Sequence, residues 1–394
     1  MYACSCALAF FRAGPCSGQA TICVHPYWLE GWLLDYSAGI HRRALLGAVT
    51  RLVSPGQLDV VALNAVAIAV CVGSIAVLAT LLYRTSATPW GKPAIAVLLA
   101  TPVCSLLFEV LGDSLEVVLA LFVALALALR SASPAVRLAG CAVFALVAVA
   151  IHEAAIFLFV PGAILLATRP ERPGVRSYLL FAAIAAPLLL VTALDRGARP
   201  VDRDYRVVNS YTGVEVPRME APFPAFSVLL REELETATAS PSAAFEFATH
   251  VPRTLFVPCL ALLLVSFVIW REGTALRLWR NWIYLGVCSL GLYVIGHDWG
   301  RFSVFTFWIA IVTTVACAPL GGSAEADERS RWATWLFPLP APPAAAVFGV
   351  VSALLLASQA VSIDYRGTML PRRSLILLVP AALAWDRWRH FALK

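Results

Sequence analysis

Apolar residues run along this chain in long blocks, and polar residues collect in short groups between them. The blocks predict helices at about 58–83, 94–108, 114–130, 138–151, 154–168, 177–194, 251–270, 282–296, 302–318, 343–361 and 374–386. A helix of about 20 apolar residues crosses the ~30 Å hydrocarbon core of a bilayer, and several blocks approach that length. Others are shorter than about 17 residues and flank polar groups, a pattern that fits breaks or cavities enclosed by protein. The expected fold is all-α: a polytopic integral membrane protein with about 11 transmembrane helices, forming a single transmembrane domain over residues 1–394. Residues 1–24 fit less well, because Arg12 and the Gly14-Pro15 pair interrupt what would be a first span.

Composition excludes a soluble domain. Charged residues are 14% of the chain and hydrophobic ones 60%, where ordinary domains carry roughly a quarter charged residues. Lys92 and Lys394 are the only lysines, and alanine is abundant. This bias fits a GC-rich genome, hence a bacterial chain in the cytoplasmic membrane. The ten cysteines show no metal-ligand spacing; Cys71, Cys104, Cys141, Cys259, Cys288 and Cys317 lie inside apolar runs, where a thiol packs as a small hydrophobe. No GxGxxG, P-loop, EF-hand or nucleic-acid motif occurs. The net charge of +6 comes mainly from loop arginines and implies no nucleic-acid partner.

Basic residues in alternate short loops set an expected orientation. Arg84 and Lys92, Arg130 and Arg137, Arg169, Arg172 and Arg176, Arg271, Arg277 and Arg280, and Arg329 and Arg331 fall on the side taken as cytoplasmic. The unusual polar groups then all face the other side, which places the active side outside.

Four groups carry candidate chemistry. The first is LLDYSAGIHRRALLGAVTRLV, residues 33–53, with Asp35, His41, Arg42 and Arg43. From Arg43 onward, helical spacing gathers Leu45, Leu46, Val49, Leu52 and Val53 on one face, predicting an amphipathic helix in the membrane interface. Arg42 and Arg43 either meet lipid headgroups there or, beside a carboxylate, hold a phosphate near a bond to be broken. The second holds Glu109, Asp113 and Glu116, carboxylates that either sit at a headgroup-level helix start or face water, cations or protein partners. The third is His152-Glu153. Ile156 stands where HExxH needs its second histidine, so a zinc protease is excluded; the pair either bonds neighbouring helices or faces substrate. The fourth is GHDWGRF, with His297, Asp298 and Arg301 in a tight link that either shapes the turn or faces the same site. A loop at 195–250, with a short helix expected around 228–237, would cap that site.

Asp35 ahead of an interfacial helix resembles the first external loop of the GT-C superfamily, the polyprenyl-phosphate-dependent glycosyltransferases. The stretch from Pro102 through Gly112-Asp113 into LALFVALALAL resembles their second acidic loop, and HEAAIFLFVPGAIL, 152–165, the helices that follow. The likeness covers roughly the first half of the chain. It departs from the pattern where Tyr36 follows Asp35 in place of a second acid, and in the defective first span. The resemblance implies inverting transfer of a sugar from a polyprenyl-phosphate donor to an extracytoplasmic glycan, lipid or protein acceptor. Asp35 would be the general base, Arg42, Arg43 and Arg301 the phosphate contacts, and Asp113 and Glu116 would orient the acceptor or, as oxygen ligands, hold a divalent cation such as Mg or Mn. DYSAGIHRRALLG and GHDWGRF also resemble bacterial membrane proteins related to exopolysaccharide polymerases. That keeps open a polymerase of exopolysaccharide or O-antigen type; a transporter or flippase of lipid-linked glycans is a further alternative.

Overall fold

The computed structural model describes residues 32, 43–86, 95, 98–99, 114–170, 173–193, 206–209, 214–215, 258–259, 261–269, 272–295 and 299–317. These are mostly helical. Helix α1 spans Leu45–Val53 and α2 spans Val60–Thr85. Then come α3, Ser114–Ala128, α4, Pro134–Ile151, α5, Ala155–Thr168, and α6, Val175–Ala193. A π-helical turn at Val265–Ile269 precedes α7, Glu272–Ile295, and α8, Trp299–Ala316.

Three helices, α2, α4 and α6, are long and apolar enough to cross a membrane. They point to a membrane-associated protein. Much of their surface is exposed hydrocarbon, as at Val143 and Leu146 of α4 and Leu190 of α6, which lipid would cover. Local signals set their ends. Asp59 accepts from the Val61 amide at 2.8 Å to cap α2. Ser133 accepts from the Val136 amide, with Pro134 in the first turn of α4, where its missing N–H costs no helix bond.

α5 forms the axis. It packs against α3, α4, α6, α7 and α8, and Ile156, Leu158 through Leu166 are buried without a break. A helix that is apolar on every face must be enclosed on every face. Because protein surrounds it, α5 need not match the hydrocarbon thickness. Close approach here depends on a missing side chain: a Cβ on Gly162 would lie 2.6 Å from Ile309 Cγ2 and 2.9 Å from Phe122 Cζ. Hydrogen bonds then tie α7 into the bundle. Ser289 Oγ donates to the Phe157 carbonyl at 3.1 Å, Tyr284 Oη to the Ser177 carbonyl at 3.2 Å and Asn281 Nδ2 to Thr314 Oγ1 at 3.1 Å.

Two sequence expectations change. The fold is not purely helical: β1, Gln57–Asp59, pairs in parallel with β2, Arg206–Asn209, which pairs antiparallel with β3, Val214–Glu215. Strands this short carry too little alternation to be read from sequence, and the pairing brings part of the 195–250 loop to the start of α2. The second change is at α7, which starts at Glu272 and not near 282. Ala275, Leu278, Tyr284 and Leu285 are buried, so helical periodicity runs back through the charged stretch and puts Arg277 and Arg280 on a helix. The segments expected at 343–361 and 374–386, residues 1–24 and the short helix near 228–237 lie outside the described residues, as does most of 94–108.

Candidate functional site

The starts of α3, α5 and α8 and the end of α4 share one end of the bundle. Ring contacts fix this alignment: Phe159 of α5 meets Phe122 of α3 and Phe305 of α8, each at 5.9 Å between centroids, and Phe144 of α4 at 6.5 Å. Phe122 and Phe144 close the cluster at 5.5 Å. Above this aromatic floor, toward the helix starts, sit Glu116, His152, Glu153 and Arg301, all buried. At 1.5 Å per residue, Glu116 is about 9 Å and Arg301 about 6 Å along its helix from the phenylalanine below.

Arg43 joins this layer from the segment before α1. Its Nε donates to Glu153 Oε2 at 2.9 Å and its Nη2 to Oε1 at 2.5 Å. This is a side-on, two-bond grip of the kind that matches a guanidinium to a carboxylate. The arginine side chain is 14% exposed and the glutamate 9%, so solvent screens the pair little. The backbone of Arg43 is left-handed, with φ 62, a conformation that costs a non-glycine residue about 1–2 kcal/mol. Removing one partner of a buried ion pair costs about 3–5 kcal/mol. Losing the grip would leave a charge buried without this partner at a larger cost than the strain, which keeps a non-glycine residue in this turn.

His152 caps the α4 C-terminus, and its Nδ1 accepts from the Ala154 amide at 3.1 Å. An accepting Nδ1 has no proton, so the ring proton is on Nε2. The 3.5 Å approach of Nδ1 to Glu153 Oε2 is therefore not an ion pair. His152 shapes the α4–α5 turn and presents its Nε2–H edge away from it. Glu153 follows at the head of α5, where the Arg43 guanidinium meets it.

Glu116 lies in the first turn of α3. The helix dipole favours a carboxylate there by up to about 2 kcal/mol, less than the several kcal/mol needed to bury it. Arg301, on the adjoining α8, is buried at the same end of the bundle. The Arg301 Cζ also lies 5.8 Å from the centre of the Phe305 ring, in cation–π range.

Of the residues singled out in the sequence, Arg43, Glu116, His152, Glu153 and Arg301 are brought together at one end. Asp35, His41, Arg42, Asp113, His297 and Asp298 lie outside the described residues, as does Glu109. Arg301 belongs to the first turn of α8 and not to the link before it. Among the described residues no group of three metal-ligating side chains occurs, and Glu116 is the described member of the expected cation pair. Sequence reasoning missed the Arg43–Glu153 bond, which spans 110 positions, and the aromatic floor beneath it. The signal was present only as two isolated charges in apolar surroundings.

The helix expected from Arg43 to Val53 forms as α1, Leu45–Val53. Leu46 packs inward, whereas Leu52 and Val53 are 84% and 80% exposed. An amphipathic helix at a membrane surface accounts for such an apolar outer edge.

Comparison of the chain with protein-family models, with curated proteins and with solved structures finds no match in any of the three.

Proposed function

We propose that the protein is a membrane glycosyltransferase of the inverting, GT-C type, moving a sugar from a polyprenyl-phosphate donor to an acceptor outside the bacterial cytoplasmic membrane. The observation that carries this reading is the Arg43–Glu153 grip. It ties the segment bearing Asp35, His41 and Arg42 to the same bundle end that buries Glu116, His152 and Arg301. A loop so tethered can hold a carboxylate at a fixed place against a lipid-borne substrate, and positioning is what general-base chemistry needs first.

In this reaction the Asp35 carboxylate takes the proton of the acceptor hydroxyl as that oxygen attacks the anomeric carbon. The bond from that carbon to the phosphate oxygen breaks, and the lipid phosphate leaves with the electron pair. Arg42 and Arg301 offset the charge growing on the phosphate. Arg43 acts as a positioning residue, since its side-on donors serve Glu153. Glu116, with Asp113, orients the acceptor or contributes to a divalent-cation site.

The test is sugar transfer by the full-length protein in lipid vesicles from a radiolabelled polyprenyl-phosphate sugar. Asp35→Asn is expected to lower turnover at least about a hundredfold, the lower range for loss of a general base, with unchanged thermal unfolding. Transfer by Asp35→Asn at the wild-type rate removes Asp35 as base. Uptake of an intact lipid-linked glycan without any transfer would instead make the protein a transporter.

A further inference from the structure

The opposite end of the bundle is built from arginine. Arg169 ends α5 with φ 42, and its Nη2 donates to the carbonyls of Leu129 at 2.9 Å and Arg130 at 2.7 Å, just past α3. Arg137, in the first turn of α4, donates from Nη1 to the Ala132 carbonyl in the link before that helix at 2.9 Å. Arg277 of α7 donates from Nη1 to the Cys317 carbonyl past α8 at 3.0 Å. Cys317 in turn contacts the Leu165 carbonyl, the acceptor of the Arg169 amide.

Every hydrogen-bond acceptor these three side chains find among the described residues is a neutral backbone carbonyl. Carbonyls at helix C-termini carry only about half a negative charge per helix, so among the described side chains at this end positive charge is in excess. The Nε atoms of Arg130, Arg137 and Arg169 are buried with no acceptor among the described residues. An unsatisfied buried donor costs about 1–3 kcal/mol, while the rest of each guanidinium is only partly buried. The rim beside them is exposed hydrocarbon: Val136 and Leu138 flank Arg137, and Val175 and Leu179 open α6. Soluble anions satisfy the arginines and leave this rim wet. A phospholipid satisfies both, with its phosphate on the guanidiniums and its acyl chains along α4 and α6.

We infer that this end of the bundle binds the phosphate headgroup of an anionic phospholipid, with Arg137 and Arg169 as principal contacts and Arg130 and Arg277 completing the basic surface. The site is separate from the charged layer at the other end and does not depend on the transfer reaction.

Native mass spectrometry of the full-length protein released from detergent, titrated with phosphatidylglycerol, phosphatidylcholine or inorganic phosphate, tests this directly. Phosphatidylglycerol is expected to be retained preferentially. Its affinity is expected to fall about fivefold in Arg137→Gln, the effect of one arginine near an anionic headgroup, and to be largely kept in Arg137→Lys. Arg51→Gln, in the last turn of α1, is expected to leave retention unchanged. Equal retention of the two lipids, wild-type binding by Arg137→Gln, or an equal loss in Arg51→Gln would overturn the assignment. So would displacement of phosphatidylglycerol by millimolar inorganic phosphate, which would mark a soluble-anion site.

Discussion

Arg43 holds Glu153 by two parallel hydrogen bonds, so the residue two positions ahead of α1 is fastened to the head of the central helix. The consequence is mechanical as well as electrostatic. α1 has neither a side-chain N-cap nor an acidic residue in its first turn, so its start is fixed by this distant partner instead of by local capping.

Breaking the pair from either side is expected to be costly. Arg43→Ala and Glu153→Ala should each lower stability by about 3–5 kcal/mol, and the double variant by less than their sum. Arg43→Lys should recover only part, because an ammonium cannot reproduce the side-on fork. Unfolding of the purified protein in mild detergent, followed by circular dichroism, measures the cycle. Additive losses would mean that the two side chains do not interact.

The left-handed backbone at Arg43 can be separated from its side chain. Arg43→Gly and Arg43→Ala both remove the guanidinium, but only alanine retains the strain of φ 62. The glycine variant should therefore be the more stable by about 1 kcal/mol. The same unfolding measurement reads the difference, and a more stable alanine variant would place the strain elsewhere.

At Gly162 any side chain meets two helices at once. Gly162→Ala is expected to cost about 1–3 kcal/mol through overpacking against Ile309 and Phe122. Gly291→Ala, whose Cβ would meet the edge of the half-buried Phe157 ring, should cost less because that ring can turn aside. Thermal inactivation midpoints of the two variants rank them.

The role of His152 in shaping the α4–α5 turn predicts a specific rescue. His152→Ala should lose about 1 kcal/mol with the acceptor for the Ala154 amide, and His152→Asn, whose side-chain oxygen offers a short polar acceptor, should restore most of it. Amide exchange at Ala154, followed by mass spectrometry of peptides from the α4–α5 turn, should rise in the alanine variant and fall back in the asparagine one.

The apolar blocks at α3, α4, α5, α6 and α8 were legible to within a few residues, because a helix of nonpolar side chains flanked by Ser, Pro or Arg is encoded locally. Arg43, Glu116, His152, Glu153 and Arg301 also stood out, since each interrupts or borders an apolar run where a charge needs a partner. What the sequence by itself determined was thus an apolar helical chain and the identity of its exceptional polar residues. Tertiary structure alone decided which helix is central, since α4 and α5 are similarly apolar and differ in what surrounds them. It also decided that Arg43 belongs to Glu153, and that the arginines after α3 and α5 and within α7 converge on helix ends. The physical reason is that periodicity reports which side chains avoid water, whereas the choice of partner across 110 positions depends on how the helices pack.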